Sequence, residues 1–253
     1  MHDVNLQIRT QDKPTKFLLY FLHMKIVFLN TLNGKVRTDI AAFIKTQSSD
    51  TTVFCFQEVY KKMRLLAKEI FLDYKGVAAY KRAAKEDDFP QATYVNKNAK
   101  VLSHKTVLED QRNAGLGVYT KIKFGDSVIH ICNFHGKAQP GDKLDNPNRI
   151  EQSRELIDFF KNKHGPKIIG GDFNLLPGTK SVKMFEEAGY RNLIKEFKIT
   201  TTRNRLAWDI WPPNKKQYYS DYVFVSPDIK VKKFSVPNIE ISDHLPLILG
   251  IEL

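Results

Sequence analysis

The chain alternates short apolar runs with segments that are apolar on one side only. Apolar runs of strand length predict buried strands at 25–30, 52–57 and 167–171. Apolar residues at helical spacing predict helices at 36–46, 59–71 and 179–188, and a further helix capped by Asn148 that ends near Lys163.

The middle and the end of the chain are richer in strand-like segments. The stretch from 74 to 134 is mostly strand-like, and a turn at 123–126 predicts that 114–122 pairs with 127–134. Later strands are predicted at 219–226 and 247–253. Strands and helices that interleave without a linker predict one α/β domain.

Orderly patterning begins near Met24, so we predict a catalytic domain over 24–253 and an N-terminal extension, 1–23, that lies outside it. The apolar run 17–22 is interrupted by His23 and falls short of the roughly 20 residues that a membrane span needs. No cleavage-site pattern typical of a signal peptide follows it. We therefore expect no stable membrane insertion and a cytoplasmic location.

Composition narrows the class of protein and its partners. Hydrophobic residues make up 42% and charged residues 27% of the 253 positions, which is typical of a soluble globular protein. The formal charge of +12 favours polyanionic partners, namely nucleic acid, acidic lipid headgroups or phosphorylated small molecules. Because the lysine pairs are scattered, a solvated surface without such a partner stays open. Cys55 and Cys132 lie inside apolar runs and are expected to be reduced and chemically silent.

Several predicted strands end or begin with polar residues that have chemical potential. Ligand sites of α/β sheets form beyond strand ends, so these residues are candidates for one site. Singly, each has a structural explanation as a helix cap, a dipole partner or a surface histidine. Together they offer oxygen ligands that suit Mg²⁺ or Mn²⁺. The residues are Asn30, Glu58, His135, Asp172, Asn174, Asp221, Asp243 and His244.

The order of these motifs resembles the endonuclease/exonuclease/phosphatase superfamily over roughly 24–253. The motifs are Phe56-Gln57-Glu58, Gly171-Asp172-Phe173-Asn174 and Ser242-Asp243-His244, supported by Leu29-Asn30, Asn133-Phe134-His135 and Asp221-Tyr222-Val223-Phe224. The resemblance implies a four-layered α/β sandwich, in which two facing mixed β-sheets are flanked by helices.

The resemblance also implies a role for each residue. Glu58 would be the principal metal ligand, with help from Asn30 and Asp243. Asp172 would orient and deprotonate the attacking water, and Asn174 would hold that water or the phosphoryl oxygens. His244 would face the phosphate, its tautomer set by Asp221 or Asp243, and His135 would occupy a second phosphate-side position.

Arg112 and Arg203 are candidate phosphate contacts, and an ordinary surface position is an equally open explanation for both. The predicted activity is Mg²⁺- or Mn²⁺-dependent hydrolysis of phosphate esters by a monomer. A nuclease-type phosphodiesterase is favoured, because the basic charge suits nucleic acid. The alternatives are a phosphatase or phosphodiesterase for inositol phosphates or lipid headgroups, and a non-catalytic nucleic-acid-binding module.

Overall fold

Two mixed β-sheets form the centre of the computed structural model, which describes residues 23–84, 87–110, 114–209 and 212–253. In spatial order, the first sheet contains β13 (Lys230–Ser235), β14 (Leu247–Glu252), β1 (His23–Asn30), β2 (Val53–Gln57), β6 (Gln91–Asn96) and β3 (Tyr74–Ala79). The second contains β11 (Arg191–Asn192), β12 (Asp221–Val225), β10 (Lys167–Asp172), β9 (Ser127–His135), β8 (Leu116–Phe124) and β7 (Lys100–Val107). Strands β4 (Arg82–Ala84) and β5 (Asp87–Asp88) pair separately.

Helices cover the outer faces of the sheets. They are α1 (Arg37–Gln47), α2 (Lys61–Ile70), α3 (Pro147–Lys161), α4 (Lys180–Glu187), α5 (Leu193–Glu196) and α6 (Arg205–Trp208), with 3-10 turns at Leu32–Gly34 and Pro213–Lys215. Within the described ranges, no helix combines the length and the apolarity needed to cross a membrane.

Side chains of β1 alternate between two apolar layers, as a strand buried on both faces requires. Val27 and Leu29 pack in the layer that also contains Ile40 of α1 and Met63 of α2. Phe28 points the other way, into the core shared by the two sheets. The predicted four-layered sandwich of two mixed sheets between helices is thereby confirmed.

A glycine pair in β10 allows the two sheets to approach closely. A Cβ on Gly170 would lie 2.8 Å from the ring of Phe28 in the facing sheet. Gly171 has φ +132°, and a Cβ there would lie 2.1 Å from the Phe134 carbonyl oxygen. Only glycine meets both conditions, so the Gly-Gly sequence sets the path of the strand that delivers Asp172.

Helix α3 begins earlier than the sequence predicted. The cap is Asn146, whose side chain accepts a hydrogen bond from the Arg149 amide at 3.0 Å, so the prediction of Asn148 as the cap is wrong. The reason is Pro147, which fits the first helical turn because the amide it lacks would have no partner there.

Strand β13 was not predicted from the sequence. Its sequence, KVKKFS, leaves most positions exposed or half-exposed, so the apolar alternation typical of a strand is weak. Lysines on an edge strand discourage pairing with other chains. At the other end of the chain, β1 begins at His23, which pairs with Glu252, while the proposed extension before it lies outside the described residues.

Candidate active site

The register of the second sheet brings three candidate residues to one edge. Asp172 ends β10, which runs parallel to β9 and antiparallel to β12. Its direct strand neighbours are His135 on β9 and Asp221 on β12. All three side chains are buried, so the backbone ladder itself positions a carboxylate between a histidine and a second carboxylate.

The two oxygens of Asp172 have different surroundings. Oδ1 accepts hydrogen bonds from the Ser220 hydroxyl at 2.6 Å and from the Asn174 amide at 3.0 Å. Oδ2 accepts one from the side-chain nitrogen of Asn30 at 3.0 Å. The Nε2 atoms of His135 and His244 both lie 3.6 Å from Oδ2, beyond hydrogen-bond range. Oδ2 is therefore the oxygen that faces the two imidazoles.

His244 is held by a carboxylate on its far side. Its Nδ1 lies 2.9 and 3.0 Å from the two oxygens of Asp221, so Nδ1 carries a proton and donates it there. This contact turns Nε2 towards Asp172. Of the two carboxylates predicted to set the tautomer of His244, Asp221 is the one that makes this contact.

His135 approaches the same carboxylate from β9. Its ring packs edge-on against Phe89, with centroids 5.1 Å apart. Its Nδ1 is buried and has no hydrogen-bond partner among the described residues. A buried polar atom without a partner is costly, and such atoms often mark a functional position.

Glu58 follows β2 in a left-handed backbone conformation, with φ +56°. The Asn30 side-chain nitrogen donates to Glu58 at 3.1 Å and to Asp172 at 3.0 Å, so one amide separates two carboxylates. Glu58 is half-buried, and its carboxylate has no other hydrogen-bond donor within the described parts of the chain. Its free oxygen fits a hard divalent cation. The Asn30 oxygen accepts from the Leu32 amide at 3.1 Å, so this amide would have to turn over to join it.

A second group of possible metal ligands is less suitable. Donor atoms of Asp172, Asp221 and His244 lie within 4.8 Å of one another. Asp221 and His244 are, however, already hydrogen-bonded to each other, so the Asp221 carboxylate and Nδ1 of His244 are not free to bind a cation. We therefore favour Glu58 as the residue that would hold a cation.

The structure places the remaining predicted residues differently. Arg203 donates to the Asp243 carboxylate at 2.7 Å and to the Asp243 carbonyl at 3.2 Å, so these two residues form a largely buried ion pair. Arg203 also forms an isolated β-bridge with His244. These contacts of Arg203 stabilise the loop that carries His244. Arg112 lies outside the described residues.

Two buried polar contacts around the site carried no functional prediction. Gln57 donates to the Asn133 side chain at 2.5 Å, which joins the two sheets directly beneath the site. Lys143 donates to the Ser220 hydroxyl at 2.6 Å. The only sequence signals were that Gln57 and Asn133 lie within candidate motifs and that Lys143 lies in a polar loop after β9.

Charge interactions within the cluster shift the ionisation of its members. Burial raises the pKa of Asp172, but the charges of His244, His135 and Lys143 outweigh it and hold this pKa well below the usual range. Burial and Arg203 lower the pKa of His244, but the neighbouring carboxylates outweigh them and raise it. Asp172 is thus an ionised acceptor, and the cluster favours the protonated form of His244.

Residues 28–244 match the Endonuclease/Exonuclease/phosphatase family, and the chain belongs to this family. Members of the family are phosphoesterases and generally use divalent metals. Because the match covers every described candidate residue of the site, the cluster around Asp172 is the candidate active site of such an enzyme.

Individual relatives share less with the chain. Phospholipase C of Staphylococcus aureus is 28% identical over 143 residues, which are 49% of this chain and 41% of that protein. Sphingomyelinase C of Bacillus cereus is 28% identical over 129 residues, which are 44% and 38% of the two proteins. The chain thus spans about two-fifths of the length of these relatives.

Solved structures confirm the fold. A family protein from Bacteroides vulgatus superposes with a TM-score of 0.73 at 18% identity, over 92% of this chain and 99% of that one. TDP2 from Caenorhabditis elegans superposes with a TM-score of 0.66 at 16% identity, over 91% of this chain and 75% of that one.

Proposed function

We propose that this chain is a divalent-metal-dependent phosphodiesterase that hydrolyses its substrate by direct attack of water. The observation that carries the proposal is the convergence of two imidazoles on one ionised carboxylate. Nε2 of His135 and Nε2 of His244 each lie 3.6 Å from Oδ2 of Asp172. The Asn30 side-chain amide donates hydrogen bonds to both Asp172 and Glu58. Such a site has a base for water, imidazole groups for a phosphoryl oxygen and a carboxylate for a cation.

Each protein group has a defined task in this mechanism. Oδ2 of Asp172 orients the attacking water and accepts its proton, a contribution of about 10²–10⁴-fold for a positioned base. His244, held by Asp221, directs Nε2–H at the phosphoryl group and offsets the charge that builds up there. The Asn174 side chain donates to the Gly136 carbonyl at 3.1 Å, which leaves its oxygen to accept from the same water.

The residues fit Mg²⁺ or Mn²⁺, because the available donors are carboxylate and amide oxygens. Glu58 would hold the ion, and Asn30 would join it after its amide turns over. When bound, the ion supplies Lewis acidity to the phosphate. Asp243 is engaged by Arg203, so its part in binding the ion requires that pair to open.

Nucleic acid is the first candidate substrate. The formal charge of +12 attracts the polyanionic backbone of a nucleic acid, and this attraction does not depend on base sequence. Cleavage and binding of this substrate should fall steeply as salt is raised, because counterions are released from the backbone on binding.

A phospholipid headgroup is the second candidate, and two observations favour it. The relatives found by sequence are a phospholipase C and a sphingomyelinase C. In addition, apolar side chains within three residues of Lys143, Arg203 and Ser220 along the chain are exposed: Leu144 by 51%, Leu206 by 38% and Tyr218 by 43%. Exposed apolar and aromatic side chains with nearby lysines are typical of a surface that rests on lipid.

The test is a substrate panel after chelation and return of Mg²⁺ or Mn²⁺. Bis(p-nitrophenyl) phosphate reports diester hydrolysis, and p-nitrophenyl phosphate reports monoester hydrolysis. Single-stranded DNA, RNA and abasic duplex form one natural arm, and sphingomyelin or phosphatidylcholine vesicles form the other. We expect metal-dependent diester hydrolysis that is absent from Asp172→Asn. No metal-dependent hydrolysis of any of these substrates would refute the proposal.

A further inference from the structure

Lys143 is a buried lysine that has no role in the mechanism proposed above. It is 4% exposed, and its backbone is left-handed, with φ +58°. Both features are unfavourable for lysine, since burial removes water from the ammonium group and a left-handed backbone costs about 1–2 kcal/mol. A residue kept in such a position against two costs is a candidate for a role in the site.

The loop that carries Lys143 is firmly built. Arg149, itself fully buried, donates to the Asp142 carboxylate at 3.0 Å, and to the carbonyl oxygens of Leu144 at 2.6 Å and Ala138 at 3.0 Å. The Lys143 carbonyl accepts from the Leu176 amide at 2.9 Å. The loop is therefore fixed on both sides of Lys143, which places its ammonium group on Ser220.

Two successive hydrogen bonds connect Lys143 to Asp172 through the Ser220 hydroxyl, and their donors can be assigned in only one way. An ammonium group donates and cannot accept, so the Ser220 oxygen accepts from Nζ at 2.6 Å. The single hydroxyl proton of Ser220 is then directed to Oδ1 of Asp172, also at 2.6 Å. All three residues are buried, so water does not compete for these bonds.

We propose that Lys143 is a positioning residue that acts through Ser220 to fix Asp172 with Oδ2 as the reactive oxygen. The relay supplies Oδ1 with a charge-assisted donor, and the Asn174 amide supplies a second one. Oδ1 thus has two protein donors, whereas Oδ2 accepts only from Asn30 among the described residues and can still accept from water. This inference rests on the proposed function, because it takes Asp172 as the base.

Single and double substitutions test the relay with bis(p-nitrophenyl) phosphate and Mg²⁺. Ser220→Ala and Lys143→Met should each lower kcat by about 10–100-fold, the range that follows from misplacing a reacting group, with KM within about twofold. The double variant should be no worse than the single variants, since Lys143 acts through Ser220. Losses that multiply in the double variant, or that appear in KM instead of kcat, would overturn the relay.

Lys81→Met is the matched control. Lys81 is also a buried lysine, 7% exposed, but it donates to the Ala114 and Gly115 carbonyls at 3.1 and 3.0 Å, outside the relay. This variant should lose melting temperature while keeping kcat. An equal loss of kcat in Lys81→Met would reduce the role of Lys143 to general stability and overturn the proposal.

A melting experiment separates failure of the relay from failure of the proposed function. If the wild-type protein cleaves none of the substrates, the proposed phosphodiesterase activity is refuted. The relay from Lys143 to Asp172 is then tested by the free energies of unfolding of the variants alone. The effects of Lys143→Met and Asp172→Asn on unfolding should be non-additive with Ser220 present and closer to additive in Ser220→Ala. Additive effects in both backgrounds would show that no coupling passes through Ser220.

Discussion

Asp172→Asn is the sharpest test of the proposed chemistry, because it keeps the shape of the side chain. Both carboxylate oxygens face donors: Ser220 and Asn174 on one side, and Asn30 on the other. The new NH₂ group must therefore face a donor in either orientation, which costs about 1–3 kcal/mol for an unsatisfied buried group. For a chain of this size, that corresponds to a fall in melting temperature of about 2–12 °C.

The catalytic effect should be separable from the effect on stability, because a folded variant can be assayed well below its melting temperature. Loss of a positioned base should lower kcat by about 10²–10⁴-fold. That range corresponds to about 2.7–5.4 kcal/mol of transition-state free energy. The variant should still fold, because Asp172 lies at a strand end and the change opens no apolar cavity.

The assay measures kcat and KM on the diester that wild type cleaves, beside thermal melting, with and without Mg²⁺. The control is Asp50→Asn, which removes a carboxylate that is 65% exposed and paired with Lys25 at 2.7 Å. Asp50 precedes the start of β2, whereas Glu58 follows its other end. The control should keep wild-type turnover. If Asp172→Asn also kept turnover near that of wild type while remaining folded, Asp172 would not be the base and the mechanism would be wrong.

Three further changes test other parts of the argument. Glu58→Gln should lower turnover, and excess Mg²⁺ should restore part of it; a loss that no metal concentration relieves would argue against a ligand role. Burial lowers the pKa of His130 below its usual 6.5, so the unfolded chain takes up that proton first and stability should fall as pH drops below 6.5. His130→Gln should flatten this slope in chemical denaturation, and an unchanged slope would contradict the shift. Cys55→Ala and Cys132→Ala, at fully buried positions, should each lower stability but leave turnover intact. Loss of turnover in a folded variant would contradict the prediction that the two cysteines take no part in the reaction.

The central strands and most candidate residues could be predicted because their signals are local. Apolar runs mark β1, β2 and β10, and a polar residue directly after each run marks Asn30, Glu58 and Asp172. A strand that is buried on both faces leaves this signal in its own sequence, whatever its partners are. Parallel pairing then brings the ends of β1 and β2 to one edge of the first sheet, and the ends of β9 and β10 to one edge of the second.

Partners of these residues could not be predicted, because they depend on contacts between distant parts of the chain. Nothing local distinguishes Lys143 from the other lysines of a basic chain, and its ammonium group meets Ser220 only after β12 has paired with β10. The pairing of Arg203 with Asp243 likewise joins residues 40 positions apart. Local patterns therefore identified acids and histidines, while the contacts that hold them required the fold.

Backbone conformation offers an independent test of the importance of two of these positions. Glu58 and Lys143 have φ +56° and +58°, where glycine avoids a cost of about 1–2 kcal/mol. A side chain at such a position carries a cost in strain, so replacing it with glycine tests whether the side chain contributes something in return. Lys198 supplies the comparison, since it has φ +53° on an exposed turn after α5 and belongs to none of the candidate motifs.

Glycine substitutions distinguish a functional side chain from an incidental one. Lys198→Gly should raise the free energy of unfolding by about 1 kcal/mol and leave turnover unchanged, because only backbone strain is removed. Glu58→Gly should also gain stability, since it removes both the strain and a carboxylate one amide away from Asp172, yet it should lose most metal-dependent turnover. Chemical denaturation without metal and turnover with Mg²⁺ measure the two effects separately. A Glu58→Gly protein that was less stable than wild type, or that kept its turnover, would show that Glu58 is retained for the fold and not for the reaction.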